Sequence, residues 1–344
     1  MIDFIDVTIP FENDGEINNG YKDSTKKGEI ANRKYFSVPV KLNGTRIQVV
    51  SIDNEHIRIS GNPAKFIQGQ NVFGTDNLTT LTSKVAKLIA KELGVAPTRE
   101  NKRSWRKGDF DVHRIDLTNN FVFPSQTSLC QWMDKAFMVV KSRKQAINAD
   151  RSSSSDHVET IYVGKNSTYI SLKFYNKYRE MLANRSNTKK EGQADPMILQ
   201  LMDEAKPLLR CEIRLHKRYL KTHGLIRAST LTPEVIWEHF IIKLDRVSLG
   251  TSELLPVLAI EKLGKNERLA YECWVRGGNI QELVSKSTFD RLRNRVIALK
   301  PGLDIRYSFV EQTRGRSLKS YLDPRRIAAV PDFLIDTSWY YDPK

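Results

Sequence analysis

The sequence predicts an α+β fold: an antiparallel sheet flanked by helices, followed by a helical C-terminal domain that resembles a helix-turn-helix. Three observations carry this reading. Short segments alternate apolar and polar residues with period two, Asn43-Gly44 is a two-residue hairpin signal, and apolar residues take helical spacing after about residue 225. A chain of 344 residues is long enough for two domains. They are set here at 1–225 and 226–344.

The elements follow in order. Ile5, Val7 and Ile9 alternate with polar neighbours before Pro10 and read as a strand. Residues 12–32 are polar and rich in Asn, Gly and Lys, which reads as a mobile loop. Strand-like residues on both sides of Asn43-Gly44 form a hairpin. Leu81, Val85, Leu88, Ile89 and Leu93 line one face of a helix over 80–94, closed by Gly94. A second helix is expected over 126–146, and Ser152–Ser155 and Ser186–Gly192 read as loops. Near the C-terminus, Glu267–Val275, Gly277-Gly278, Ile280–Val284 and Ser287–Leu299 read as helix, turn, helix. Phe289, Leu292, Val296 and Leu299 are spaced for one apolar face, and Leu303–Phe309 resembles a wing strand.

Composition narrows the partners. Fifty-five Lys and Arg against forty Asp and Glu give a net charge of +15, which favours a polyanion because each neutralised phosphate releases a condensed counterion. The excess is densest from Lys286 to Arg326, with eleven basic and four acidic residues. Lys286, Arg291, Arg293 and Arg295 are the candidate DNA contacts on the second helix, read as a recognition helix; a basic bundle with solvated arginines has the same pattern. No apolar run approaches the ~20 residues needed to span a bilayer. The N-terminus lacks the basic region of a secretory signal, and three scattered cysteines fit a reducing cytoplasm better than a disulfide framework.

Three predicted strands have one apolar and one chemical face. Arg114, Asp116 and Thr118 alternate with Ile115 and Leu117. Tyr169, Ser171, Lys173 and Tyr175 alternate with Ile170, Leu172 and Phe174. Arg210, Glu212 and Arg214 alternate with Cys211, Ile213 and Leu215. If the three share a sheet, one face gathers two carboxylates, several cations and a phenol. Phosphodiester transfer uses such parts: a nucleophile in line with phosphorus, positive charge on the non-bridging oxygens, and hard oxygen ligands for a divalent ion. Alternating charges equally mark a solvated face laced by cross-strand ion pairs, and periodicity leaves both readings open.

Four blocks carry a resemblance: Gly61–Gly74, Arg114-Ile115-Asp116-Leu117-Thr118, Tyr162–Ser167 running into Leu172-Lys173-Phe174-Tyr175-Asn176-Lys177, and Leu209–Leu215. In that order they resemble the replication initiators encoded by gene II of filamentous bacteriophages and, more distantly, plasmid initiators of the Rep-trans type. Lys286–Ile305 resembles the family's C-terminal region. The resemblance implies a rolling-circle initiator in the cytoplasm of a bacterial host cell. It nicks one strand of double-stranded origin DNA, leaves a 3′ hydroxyl for host polymerase and helicase, and rejoins the displaced single strand. It further implies Tyr175 as nucleophile through a 5′-phosphotyrosyl adduct, and Lys173 and Lys177 near the scissile phosphate. Asp116 and Glu212, with His113 as a third, are the implied ligands of magnesium or manganese. Arg114 and Arg214 are candidate DNA contacts beside them, and Tyr178 a second hydroxyl.

The chain departs from the family pattern at Gln70, where a histidine is often expected, and has no His-x-His pair. Gly-Lys-Ser/Thr is absent, so Gly61–Gly74 is no phosphate-cradling loop but shapes a loop and helix beside the sheet. The competing reading is a non-catalytic DNA-binding regulator with a structural sheet. A tyrosine recombinase is disfavoured because no His-x-x-Arg occurs.

Overall fold

The computed structural model describes residues 1–14, 17–26, 29–140, 146–150, 157–187, 195–245, 247, 249, 255, 257–300, 303–306 and 318–343. Among them, nine strands form one antiparallel sheet. Its members are β1 (Ile2–Pro10), β4 (Val38–Leu42), β5 (Thr45–Ser51), β6 (His56–Gly61), β7 (Asp111–Val122), β8 (Ile147–Asp150), β9 (Thr160–Val163), β10 (Ile170–Asn176) and β11 (Leu208–His216), in the order β4-β5-β6-β1-β7-β11-β10-β9-β8. Asn43 and Gly44 take positive φ at 46° and 70°, as a tight hairpin between β4 and β5 requires.

The apolar parity of the strands faces one core. Ile5, Val7, Ile57, Ile59, Ile115, Leu117, Phe174, Cys211, Ile213 and Leu215 are buried there. Helices cover this face. α2 (Leu78–Glu92) supplies Leu81, Val85 and Ile89, and is capped by the Asn77 side chain accepting from Thr80 N. α4 (Gln126–Val139) supplies Leu129, Trp132 and Met133. α3 (Arg99–Lys107) adds Trp105, whose indole donates to Pro10 O at 2.6 Å. Burying this much apolar area, at roughly 25 cal/mol per Å², is the main stabilising term.

The expected mobile loop over 12–32 is corrected in part. Residues Tyr21–Lys26 and Glu29–Tyr35 form a separate hairpin, β2 and β3, with the Tyr21 and Tyr35 rings in edge contact at 6.0 Å. Polar composition hid it, because strands paired through their backbones need leave no apolar pattern in the sequence. Helix 126–146 ends at Val139, with residues 141–145 outside the described set; Ser152–Ser155 and most of Ser186–Gly192 also lie outside it.

Beyond β11, α7 (Lys217–Thr222) and α8 (Pro233–Asp245) join the main core through Tyr219, Leu220, Ile236, Phe240 and Leu244. A second core gathers Leu255, Leu263, Tyr271, Trp274, Ile280, Phe289, Leu292, Val296, Leu303 and Ile305. The C-terminal segment then returns to the sheet domain. Phe121 bridges Ile327, Ala328 N donates to Asn120 O at 2.8 Å, and Tyr321 stacks on Phe123 at 4.7 Å. The part set off at residue 226 therefore shares its first helix and its last residues with the sheet domain's packing.

Gly108 closes α3 at φ +74°, and a methyl built there would lie 2.5 Å from Ser229 N. The left-handed backbone alone costs a non-glycine residue about 1–2 kcal/mol, and the clash adds to it. Gly108→Ala should lower stability by at least ~2 kcal/mol in chemical denaturation; an unchanged midpoint contradicts this close approach.

Candidate functional site

The register of three strands assembles the site. β10, β11 and β7 pair so that Lys173 lies opposite Glu212 and Glu212 opposite Thr118. One row away, Ser171, Arg214 and Asp116 align, and in the other direction Tyr175, Arg210 and Asn120 align. Directly paired residues point the same way. Asp116, Tyr175 and Glu212 thus share the polar face of the sheet, as the alternation predicts.

Asp116 is buried and fully engaged. Arg114 grips it through two bonds, Nε to Oδ1 at 2.8 Å and Nη2 to Oδ2 at 2.5 Å, and Arg214 Nε lies 3.2 Å from Oδ2. Both arginines are half-buried, with side chains 24% and 32% exposed. Glu212 is held loosely: Arg214 Nη2 lies 3.5 Å from Oε1, and the Tyr175 hydroxyl donates to Oε2 at 3.5 Å. Burial raises the Glu212 carboxyl above its ordinary value. The charges of Asp116 and Asp3 add to the rise, and Lys173 and Arg210 oppose it.

Tyr175 is only 4% exposed. Burial pushes its phenol well above the ordinary tyrosine value, Arg210 opposes this, and Asp3 and Glu212 add to it. The ammonium of Lys173 lies over the ring, 4.0 Å from its centroid. Tyr178 in α5 (Lys177–Asn187) packs instead with Val72, Leu201 and Leu334 in a small cluster that closes one end of the polar face.

Behind Tyr175 lies a buried polar network that sequence reasoning missed. Arg210 has no exposed surface; it reaches Asp3 Oδ1 at 3.1 Å, Thr118 Oγ1 at 3.0 Å and the carbonyl of Asn71. Asp3 accepts from Asn62 and Asn71, each at 2.8 Å. Burial disfavours the Asp3 carboxylate, but the charges of Arg210 and Lys177, with these amide bonds, hold it below the usual range. Lys177, equally buried, donates to Glu180 at 2.7 Å and to Asn71 Oδ1 at 3.0 Å. The β1–β7 register shifts between Ile2 and Phe4, so strict alternation does not place Asp3 on this face.

Gln70 is a loop organiser rather than a reactive group. Its oxygen accepts from Val72 N and Phe73 N, and its amide donates to Trp339 O at 2.8 Å. Gly61–Gly74 builds α1 (Pro63–Gln68) and the turn after it, beside the sheet as expected.

His113 lies where the β1–β7 register shifts again, and its Nε2 bonds Thr8 Oγ1 at 2.8 Å. Burial lowers its imidazole pKa, Lys217 and Arg58 lower it further, and Asp6 and Asp111 oppose the shift. Among the described residues no three His, Cys, Asp or Glu side chains gather as a metal cage. Alternation would place His113 with Ile115 and Leu117 on the core face; the bulge turns it to Thr8 on the polar face.

In the helical part, α10 (Lys265–Val275), α11 (Ile280–Leu283) and α12 (Lys286–Leu299) follow the expected helix, turn, helix. Lys286 is exposed beside the Ser285 cap of α12. Arg291 and Arg295 are exposed and flank Glu267 at 3.8 and 3.5 Å. Arg293 turns instead to Asp304, with bonds of 2.7 and 2.6 Å. Residues 303–306 form a turn rather than a wing strand, and the remainder of that stretch, 307–309, lies outside the described residues.

Burial lowers the Lys177 ammonium to about 8 from the ordinary 10.5, with Arg210 adding to the effect. Between these values the unfolded chain holds a proton that the folded chain has released, so stability rises with pH. The penalty, about 3 kcal/mol at ~1.36 kcal/mol per pH unit, is complete below pH 8 and fades towards 10.5. Urea unfolding should show wild type gaining on Lys177→Met as pH climbs through this window, and a constant gap contradicts the buried charge.

Comparison with known proteins gives a consistent set of likenesses. Residues 1–234 match the family described as replication-associated protein (gene II protein), N-terminal. The replication-associated gene II protein of Enterobacteria phage I2-2 is 26% identical over 253 residues, covering 73% of this chain and 70% of that protein. Among solved structures, a rolling circle replication initiator protein from Geobacillus stearothermophilus aligns over 75% of this chain and 88% of its own. Its TM-score is 0.37 and its identity 14%.

Proposed function

The chain belongs to the family of phage gene II replication-associated proteins, and on that premise we propose that it is a rolling-circle replication initiator that nicks and rejoins origin DNA through Tyr175. The observation that carries the proposal is the Tyr175 hydroxyl directed at Glu212, with Asp116 on the same face.

The phenol is a poor nucleophile while neutral and buried, so it needs a base and an opening. Glu212 is the nearest acceptor, and its raised carboxyl suits it to take the phenolic proton. Lys173 covers the ring; when its ammonium turns to a phosphate, the phenol is uncovered and charge on the non-bridging oxygens is offset. The Tyr175 oxygen then bonds to phosphorus as the bond from phosphorus to the 3′ oxygen breaks. The 3′ oxygen leaves as a hydroxyl after protonation from solvent, and the 5′ phosphate stays on the enzyme. Rejoining runs the same steps backwards. Lys177, locked to Glu180 and Asn71, acts as a positioning residue for the turn after β10.

The proposal includes a divalent cation, magnesium or manganese. The donor set fits in part: Glu212 makes only long contacts, whereas the Asp116 oxygens are taken by Arg114 and Arg214. Glu212 would hold the ion, joined by Asp116 once Arg214 moves to a phosphate, and a bound ion would supply positive charge at the scissile phosphate. In the helical part, Lys286, Arg291 and Arg295 would grip origin duplex.

The test is supercoiled plasmid carrying the origin region of the chain's own replicon, incubated with magnesium. Wild type should convert it to open circle, Tyr175→Phe should lower the rate by at least ~10³-fold, and Glu212→Gln should also be severely impaired while both variants still bind. Binding without cleavage by wild type would leave a DNA-binding regulator. Chelation with EDTA should stop nicking and restored magnesium recover it; full activity in EDTA would remove the cation from the account.

A further inference from the structure

The polar face of the sheet carries two half-buried aromatic rings that phosphoryl transfer does not need. Phe4 of β1 stands opposite Asp116, the one large apolar side chain on a face of its strand that it shares with the polar Asp6 and Thr8. The Arg114 guanidinium lies on its ring, 3.9 Å from the centroid, while an edge of the same guanidinium grips Asp116. Arg114 is thereby held between Phe4 and Asp116 and still partly exposed. On the other side of the site, Tyr162 of β9 stands opposite Lys173, with Lys165 4.3 Å and Lys173 5.7 Å from its centroid. Its hydroxyl pKa is raised to about 12 by burial and by the nearby Asp150, so the ring stays neutral.

We propose that the Phe4–Arg114 stack and Tyr162 are two base-stacking platforms that hold single-stranded DNA across the sheet, one on each side of the scissile phosphate. The inference rests on the reading of this face as a DNA-nicking site and specifies how the strand is held there. Four strand steps separate β9 from β1, roughly 19 Å at ~4.8 Å per step, which suits a few unpaired nucleotides. Between the platforms lie Lys173, Arg214 and the Tyr175–Glu212 pair. Arg58 extends the cationic line beyond β1 in its pair with Asp6 at 2.6 Å. Aromatic and guanidinium planes stack any base, and flanking cations meet the backbone, so this face favours an unpaired strand over a duplex whose bases are already stacked.

The test is binding of a short fluorescein-labelled oligothymidylate to the full chain by anisotropy, in EDTA so that no cleavage intervenes. Tyr162→Leu and Phe4→Leu keep an apolar side chain for packing but remove the ring. Each should weaken binding about 5- to 150-fold, the ratio for one lost stacked base. Tyr162→Phe should bind like wild type, which a role for the hydroxyl would not allow. Leucine variants that bind as tightly as wild type would overturn the platforms alone, provided wild type nicks and Tyr175→Phe does not. Wild type that fails to hold the oligothymidylate would overturn both the platforms and the nicking reading.

Discussion

The arrangement depends on one constraint, the antiparallel register of β7, β11 and β10. With Glu212 paired to Lys173 on one side and Thr118 on the other, the acids, the phenol and their cations fall on one face. A slip of one residue in either pairing would send Glu212 or Tyr175 to the core face. That core, built from Ile115, Leu117, Phe174, Cys211 and Ile213, opposes such a slip because a one-residue shift would turn it to the polar face. The site is positioned by apolar packing on the far side of its own sheet.

The polar face is divided, and the division gives each group its character. One end is closed by Val72, Phe73, Tyr178, Leu201 and Leu334, under which Arg210, Asp3 and Lys177 form a dry network. The other end, with Arg114, Arg214 and Arg58, is open to solvent. Tyr175 stands at the boundary, buried beside the dry end with the Lys173 ammonium over its ring. Asp116 anchors Arg114 and Arg214, which keeps cations poised over the open half without crowding the phenol.

Much of this is legible in the sequence because period-two alternation reports a face directly. Asp116, Glu212 and Tyr175 could be put on one surface from their neighbours Ile115, Ile213 and Phe174. Alternation fails at irregular backbone: the shift near Ile2 hides Asp3, and the shift near His113 moves that histidine to Thr8. Long-range pairs leave no local trace either, so the bond from Gln70 to Trp339 and the Arg293–Asp304 pair appear only in three dimensions. The hairpin of β2 and β3 escaped because polar strands joined through backbone bonds look like loop. The four sequence blocks gave the family; the geometry gives their residues partners.

The most direct measurement is the identity of the residue that carries DNA. Stalling the reaction on a suicide substrate, digesting the covalent adduct and sequencing the modified peptide by mass spectrometry should locate the nucleotide on Tyr175. A nucleotide on Tyr162 or Tyr178, or the absence of any adduct in a preparation that nicks, would contradict the account.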